Sequence, residues 1–170
     1  MSRDESLRAW TYGEEKYIIP KGMSQETLSR LRMVAECFRD ATFIYLHSTI
    51  ERIIRGRGEE EGGQIIQHLT VSKAEALGRF RGRIRSCLLF DDAAHCEYSA
   101  LTFPLFIAGC ESREPEVRDD ILSRLDALEV NFGIGNVKRA KELLDMVWSS
   151  HSQLHWMDVL ESLDWQLILA

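Results

Sequence analysis

The stretch YSALTFPLFIAGC, residues Tyr98–Cys110, contains thirteen consecutive residues without a formal charge. It is too short to cross a bilayer, which takes about 17 to 25 apolar residues, and Glu97 and Glu111 bound it on either side. We therefore interpret it as the central core helix of a soluble protein. Proline lacks a backbone N–H and clashes with the preceding turn, so Pro104 predicts a kink in this helix.

The chain downstream of this stretch has clear helix boundaries. Pro115 suits a first helical turn, and Gly133 suits the left-handed position that ends a helix. Asn136 is predicted to cap the helix that follows. The residues expected to face the core over these helices and the C-terminal end are Val117, Ile121, Leu125, Leu128, Phe132, Val137, Ala140, Leu144, Val147, Trp148, Trp156, Val159, Leu160, Trp165, Leu167, Ile168 and Leu169.

Upstream, a long helix is predicted over residues 24–55, after an N-terminal arm at residues 1–22 and before a glycine-rich and glutamate-rich loop at residues 56–63. Ser24 is its expected N-cap. Ten uncharged residues lie between Asp40 and Glu51, which predicts burial on most sides. Ser72 and Glu75 have the spacing of a capping box and predict a further helix start. The apolar stripe predicted on the long helix is Leu28, Leu31, Ala35, Phe38, Thr42, Tyr45, Thr49 and Ile53.

Composition favours one folded domain over residues 1–170. Hydrophobic residues make up 45% of the chain and charged residues 28%, which is typical of a globular protein. No alternation typical of strands stands out, so the predicted fold is all-α, a helical bundle of about six to eight helices with a central proline-kinked helix. The four cysteines are widely spaced and are interpreted as reduced thiols. The charged N-terminus predicts neither a signal peptide nor a membrane anchor.

Motifs that would indicate an enzyme are missing: the sequence has no G-x-S-x-G, no G-x-x-x-x-G-K and no H-E-x-x-H. Neither a cofactor nor a metal is predicted. His151 and His155 have the spacing of two metal ligands on one helix, but they lie where one helix is expected to end and another to begin. His95 and Cys96, near Asp91 and Asp92, could form a Cys/His nucleophile, although no orienting pattern marks them. The sequence FGIGN contains G-x-G after a helix, so it is interpreted as a turn.

Four arginines alternate along the helix predicted after Ser72. The simpler interpretation is a solvated face that pairs with acids elsewhere in the chain, and the alternative is a patch for phosphate or an acidic partner. A formal net charge of −6 argues against nucleic-acid binding by the surface as a whole. The four are Arg79, Arg81, Arg83 and Arg85.

Four motifs occur in a fixed order: TFPLFIAGCES, the acidic start at residues 114–116, NFGIGNVKRAKELLDMVW and HWMDVLESLDWQLILA. In this order the chain resembles the C-terminal part of the fungal-specific transcription factor domain, the regulatory domain of fungal binuclear zinc-cluster transcription factors. The resemblance is strong over residues 98–169 and weaker over 24–55. The matching positions, for which it implies structural roles, are Phe103, Pro104, Leu105, Gly109, Cys110, Gly133, Gly135, Asn136, Trp148 and Trp165.

The resemblance implies control of transcription through protein partners, self-association or an apolar small molecule, in the nucleus or otherwise the cytoplasm. Zinc and DNA binding are not carried over, because no cysteine pair has the C-x-x-C spacing. An alternative is a structural homo- or heterodimerisation module whose exposed faces another copy covers; one form of it is a shortened antagonist of full-length relatives. Any pocket is expected beside the kinked helix, although an ordinary filled core is the alternative. The residues expected to line it are Phe43, Tyr45, Phe103, Pro104, Phe106 and Cys110.

Overall fold

The computed structural model describes residues 21–57, 69, 71–86, 95–149 and 155–163. These residues form six α-helices and one 3₁₀-helix and contain no strand, which confirms the all-α prediction. None of these helices is long and apolar enough to cross a membrane. The chain divides into two compact units, Met1–Arg83 and Ile84–Ala170, and the single domain over residues 1–170 stays a prediction.

The long helix α1 spans Gln25–Arg57. Ser24 caps it as predicted: its Oγ accepts a hydrogen bond from the Thr27 N–H (3.1 Å), and its carbonyl accepts one from the Leu28 N–H (3.0 Å). Helix α2 spans Lys73–Ser86. Its cap is half of the predicted capping box, because Ser72 Oγ accepts from the Glu75 N–H (3.1 Å) while the Glu75 carboxylate pairs with Arg79.

Of the stripe predicted to face the core on α1, only Leu28 is fully buried. Tyr45 and Ile53, both predicted to face the core, are 38% and 50% exposed. Ten uncharged residues precede Glu51. Because the run carries no charge on any side of the helix, the spacing of its residues does not show which side is buried. Polar residues also lie inside. The buried positions of α1 are Leu28, Val34, Cys37, Asp40, Ala41, Phe43, Ile44, His47 and Ser48.

The stretch that the sequence marks as the core lies in the second unit. It forms two segments, a 3₁₀-helix at Cys96–Leu101 and α3 at Thr102–Glu111. A kink within one continuous helix is not confirmed, because Pro104 lies in the first turn of α3. There its missing N–H removes no intrahelical hydrogen bond. Helix α3 is buried along most of its length and packs against both helices that follow it.

Helix α4 spans Pro115–Phe132, with proline in its first turn as predicted. Gly133 adopts φ 63° and its N–H bonds to the Glu129 carbonyl at 2.9 Å, which confirms the predicted left-handed end. Helix α5 spans Gly135–Ser149, so Asn136 lies inside the helix and the prediction that it is the cap is wrong. The connection between the two helices is only residues 133–134, and α5 has already begun when the chain reaches Asn136.

The core of the second unit follows most of the predicted positions. Helix α4 buries Val117, Ile121, Leu125 and Leu128 as expected, while Phe132 is only half-buried. Helix α6, at Trp156–Ser162, packs against α5. The buried residues of α5 and α6 are Val137, Ala140, Leu143, Leu144, Trp156 and Val159. Val147, Trp148 and Leu160 are half-buried, and Trp165, Leu167, Ile168 and Leu169 lie outside the described residues.

Gly109 marks the closest approach of α3 to its neighbours. A Cβ atom placed on it would lie 2.8 Å from Leu144 Cδ2 on α5 and 3.4 Å from Ile121 Cγ2 on α4. Ordinary carbon contacts lie at about 3.5 to 4.0 Å. A glycine at this position therefore lets three helices meet at one point.

Candidate functional site

The six residues of the predicted pocket fall in different units. Phe43 and Tyr45 belong to the first unit. They are two residues apart on α1, about 200° around the helix axis, and Phe43 is buried whereas Tyr45 is exposed. The remaining four, Phe103, Pro104, Phe106 and Cys110, lie on α3 in the second unit. A pocket formed by all six stays a prediction.

Around Phe106 the second unit is filled by another aromatic ring. Phe106 is 1% exposed and Trp156 is 7% exposed, and the two rings meet edge to face with their centres 5.7 Å apart. Such pairs contribute about 0.5 to 1.5 kcal/mol beyond the apolar area they bury. This contact is what the filled-core alternative predicts for Phe106.

Cys110, a half-buried residue of α3, carries a thiol whose expected reactivity is low. Burial raises its pKa well above the ordinary value, and the charge of Glu111 raises it further. Because the thiolate is the reactive form of cysteine, a raised pKa makes this side chain a poor nucleophile at neutral pH.

The C-terminal end of α3 is held by a tryptophan. The Nε1–H of Trp148 donates to the Gly109 carbonyl at 3.0 Å, and the same carbonyl accepts a bond from the Ser112 N–H at 3.2 Å. Carbonyls in the last turn of a helix have no intrahelical partner. The Trp148 side chain on α5 therefore supplies a bond that α3 cannot make by itself.

An arginine completes this arrangement from α4. Arg118 Nε donates to the Ser112 carbonyl at 3.0 Å, and its guanidinium lies 5.1 Å from the centre of the Trp148 ring. That distance is within the range of a cation–π interaction. Ser112 Oγ donates in turn to the Ala108 carbonyl at 2.6 Å. We call Gly109, Ser112, Arg118 and Trp148 the α3 clamp, and its role is to fix the end of the core helix.

In the first unit, α1 and α2 are joined by a polar seam. Asp40 is completely buried, and its Oδ2 pairs with Arg83 Nη1. Arg83 Nη2 reaches Glu36 Oε2 at 2.9 Å. Asp40 Oδ1 has no hydrogen-bond partner within the described part of the chain. The loss of Arg83 would leave a buried carboxylate without its partner, so the pairing is structurally important.

The seam continues toward the other end of α1. His47 Nε2 lies 2.6 Å from the Val71 carbonyl, and because a carbonyl only accepts, this nitrogen carries the hydrogen. Lys73 Nζ pairs with Glu51 Oε2 at 2.5 Å. The order of these contacts shows that α1 and α2 run antiparallel. Sequence analysis missed the seam, although Asp40 and His47, seven residues apart, share one helix face.

The arginines on α2 bear out the simpler interpretation at two positions. Arg79 pairs with Glu75 on its own helix, and Arg83 pairs across to α1. These two residues therefore neutralise acids of the chain itself. A patch for phosphate or an acidic partner on α2 stays a prediction.

The residues considered for metal binding and nucleophilic chemistry have local contacts instead. His155 precedes α6, and its Nδ1 accepts a hydrogen bond from the Met157 N–H at 3.2 Å. The ring of His95 meets Tyr98 edge to face, with centres 5.9 Å apart. His151, Asp91 and Asp92 lie outside the described residues. Within the described ranges no group of three histidine, cysteine or acidic residues could hold a metal ion.

Comparison with known families agrees with the motifs. The family model of the fungal specific transcription factor domain matches residues 4–170. The match reaches well beyond the stretches in which the motifs were recognised, and includes the N-terminal arm and the polar seam. No curated protein and no solved structure matches the chain.

Proposed function

Because the chain belongs to the fungal-specific transcription factor domain family, we propose that it is a regulatory module that controls transcription through protein partners and does not bind DNA itself. The observation that carries the proposal is the family match over residues 4–170. The net charge of −6 supports the proposal that the chain does not bind DNA itself, because DNA binding depends on clustered cations. We propose the nucleus as its location on the same family grounds.

Among the possible modes of regulation, protein contacts are favoured over a small molecule in the core. Phe106 is packed against Trp156, and the α3 clamp fixes the end of the same helix. An apolar ligand beside Pro104 would have to displace or rearrange such packing. A native mass spectrum compared with a denaturing one tests this: extra mass present only on the native protein would favour the small molecule.

Self-association is the second candidate. The stripe of α1 expected in the core instead includes two exposed apolar side chains, Tyr45 at 38% and Ile53 at 50% exposure. A second copy could cover them, as the dimerisation alternative requires. Sedimentation velocity of the wild type and of Ile53→Glu distinguishes the modes, because a dimer formed through this face would dissociate in the variant.

The regulatory role itself is tested with a reporter gene. The chain is fused to an unrelated DNA-binding domain, and transcription is compared with that given by the DNA-binding domain alone. A change in reporter output is expected. An unchanged output in a fungal host, with the fusion protein present and folded, would contradict the proposal. A shift of duplex DNA by the unfused chain would contradict the part that excludes DNA.

A further inference from the structure

The junction of α4 and α5 presents one large apolar side chain that the described chain leaves exposed. We call residues 130–135 the α4/α5 tip. Val130 is 82% exposed, the highest value among the large apolar residues of the described ranges. Phe132 and Ile134 are half-buried, and Gly133 and Gly135 are exposed. A side chain this exposed is open to an apolar group of a partner, which would remove it from water.

Only one of the two glycines in the tip is explained by the fold. Gly133 has a positive φ of 63°, which favours glycine. Gly135 has no positive φ, and a Cβ atom on it would meet nothing within 4 Å. Alanine would fit at this position and forms helices better. The absence of a side chain keeps the surface open without helping the chain itself.

The charges that follow the tip are also unfavourable for the isolated chain. Lys138 and Arg139 are exposed and lie near the start of α5, whose first turn holds no acidic residue. The N-terminal end of a helix carries a partial positive charge, so cations there cost stability. The residue before α5 is Ile134, whose side chain cannot accept a hydrogen bond from the first N–H groups.

Nearby acids do not neutralise these two cations. Asp126 and Glu129 on α4 pair with Lys141, at 2.6 and 2.5 Å. Lys138 lies one turn before Lys141 on the same flank of α5. Within the described part of the chain neither Lys138 nor Arg139 has an acidic partner.

We propose that the α4/α5 tip binds an acidic protein segment that carries apolar side chains. Its apolar side chains would cover Val130, and its carboxylates would pair with Lys138 and Arg139 and face the N–H groups at the start of α5. Complementary charge selects such an occupant. The exposed Val130 favours protein over nucleic acid, because an apolar side chain has no partner on a phosphate backbone. The inference rests on the proposed interaction role and gives that role a surface and a partner chemistry.

The test uses a fluorescein-labelled peptide in which aspartate alternates with leucine and phenylalanine, and fluorescence anisotropy on the full chain. Binding that weakens at high salt is expected. Two control peptides, one with lysine in place of aspartate and one with serine in place of the apolar residues, should bind at least about tenfold more weakly. Absence of binding by the first peptide, or equal binding by all three, overturns the proposal.

Protein variants localise the site. Lys138→Glu combined with Arg139→Glu should weaken binding about tenfold or more, and Val130→Ser should weaken it as well. The charge-reversed variant should melt no lower than the wild type, because glutamate suits the start of a helix. The matched control is Arg113→Glu, an exposed charge reversal just before the opposite end of α4, and it should bind as the wild type does.

Other outcomes separate this inference from the proposed function. If the charge-reversed variant binds the peptide as tightly as the wild type, the tip is not the site. The same holds if Arg113→Glu loses as much affinity as the charge-reversed variant. A dimer of the wild type that dissociates in the charge-reversed variant overturns the acidic segment as occupant and replaces it with a second copy. If the reporter fusion regulates transcription while the peptide fails to bind, only the inference fails. If the reporter is also unchanged, the proposed function fails with it.

Discussion

Replacement of Gly109 by alanine tests the packing of the second unit most directly. The new Cβ atom would lie 2.8 Å from Leu144 Cδ2 and 3.1 Å from Leu144 Cδ1. Leu144 is completely buried, so its side chain has little room to move aside. Overpacking of a core destabilises a protein by about 1 to 3 kcal/mol, whereas the better helix propensity of alanine stabilises it by about 0.5 to 1 kcal/mol. We expect a net loss of up to about 2.5 kcal/mol in the free energy of unfolding, and a loss of about 1 to 3 kcal/mol relative to a glycine-to-alanine change that meets no neighbour.

The assay is urea denaturation followed by tryptophan fluorescence, since Trp148 and Trp156 both lie in this unit. Gly135→Ala is the matched control, because it adds the same methyl group within the same unit where nothing lies within 4 Å. The control should be as stable as the wild type or slightly more stable. If Gly109→Ala were as stable as Gly135→Ala, the close approach of α3 to α5 would be refuted.

Three further predictions concern side chains described above. Trp148→Phe should lower the free energy of unfolding by about 1 kcal/mol, because the Gly109 carbonyl loses its indole donor; an unchanged urea midpoint would contradict the clamp. Arg83→Met should cost about 3 to 5 kcal/mol and Arg83→Met with Asp40→Leu much less, as measured by the same denaturation; additive losses would contradict the seam. Cys110 is half-buried and should react with a thiol reagent at pH 8 much more slowly in the folded than in the unfolded protein, as mass spectrometry of the labelled peptides can show. Because its folded pKa is raised, stability should fall as pH rises above the ordinary thiol pKa of about 8.5; labelling as fast in the native as in the unfolded protein would refute the burial of this thiol.

Helix ends were predictable wherever they depend on a few neighbouring residues. Ser24, Pro115 and Gly133 act as the sequence predicts, since a hydroxyl, a ring and a missing side chain favour their positions by local chemistry. The prediction that Asn136 caps α5 was wrong, although asparagine is a good N-cap residue. The cause is the short connection after Gly133, which starts α5 before that residue.

The buried face of α1 could not be predicted from periodicity alone. The uncharged run contains apolar residues on every side, and the core includes Asp40 and His47, which a hydrophobic pattern excludes by definition. Each of these polar side chains is buried with a partner that is distant in the sequence. Arg83 is 43 residues from Asp40, and Val71 is 24 residues from His47. Tertiary pairing of this kind leaves no local signal in a single sequence.

The candidate pocket failed to gain support for a related reason. Its residues were chosen for apolar character near Pro104, and apolar character does not distinguish the wall of a cleft from a filled core. The ring of Trp156 against Phe106 comes from a helix some 50 residues later, and only the fold brings the two together.

The family-matching residues thus separate into two groups. Gly109 and Trp148 have roles that the fold explains, since one permits the close approach of three helices and the other holds the end of α3. Gly135 has no such role, and it belongs to the α4/α5 tip together with Val130, shortly before two cations near the start of α5. Natural sequences depart from local rules mostly where function requires it. A regulatory contact of this domain is therefore better sought at the α4/α5 tip than among the buried aromatic residues of the core.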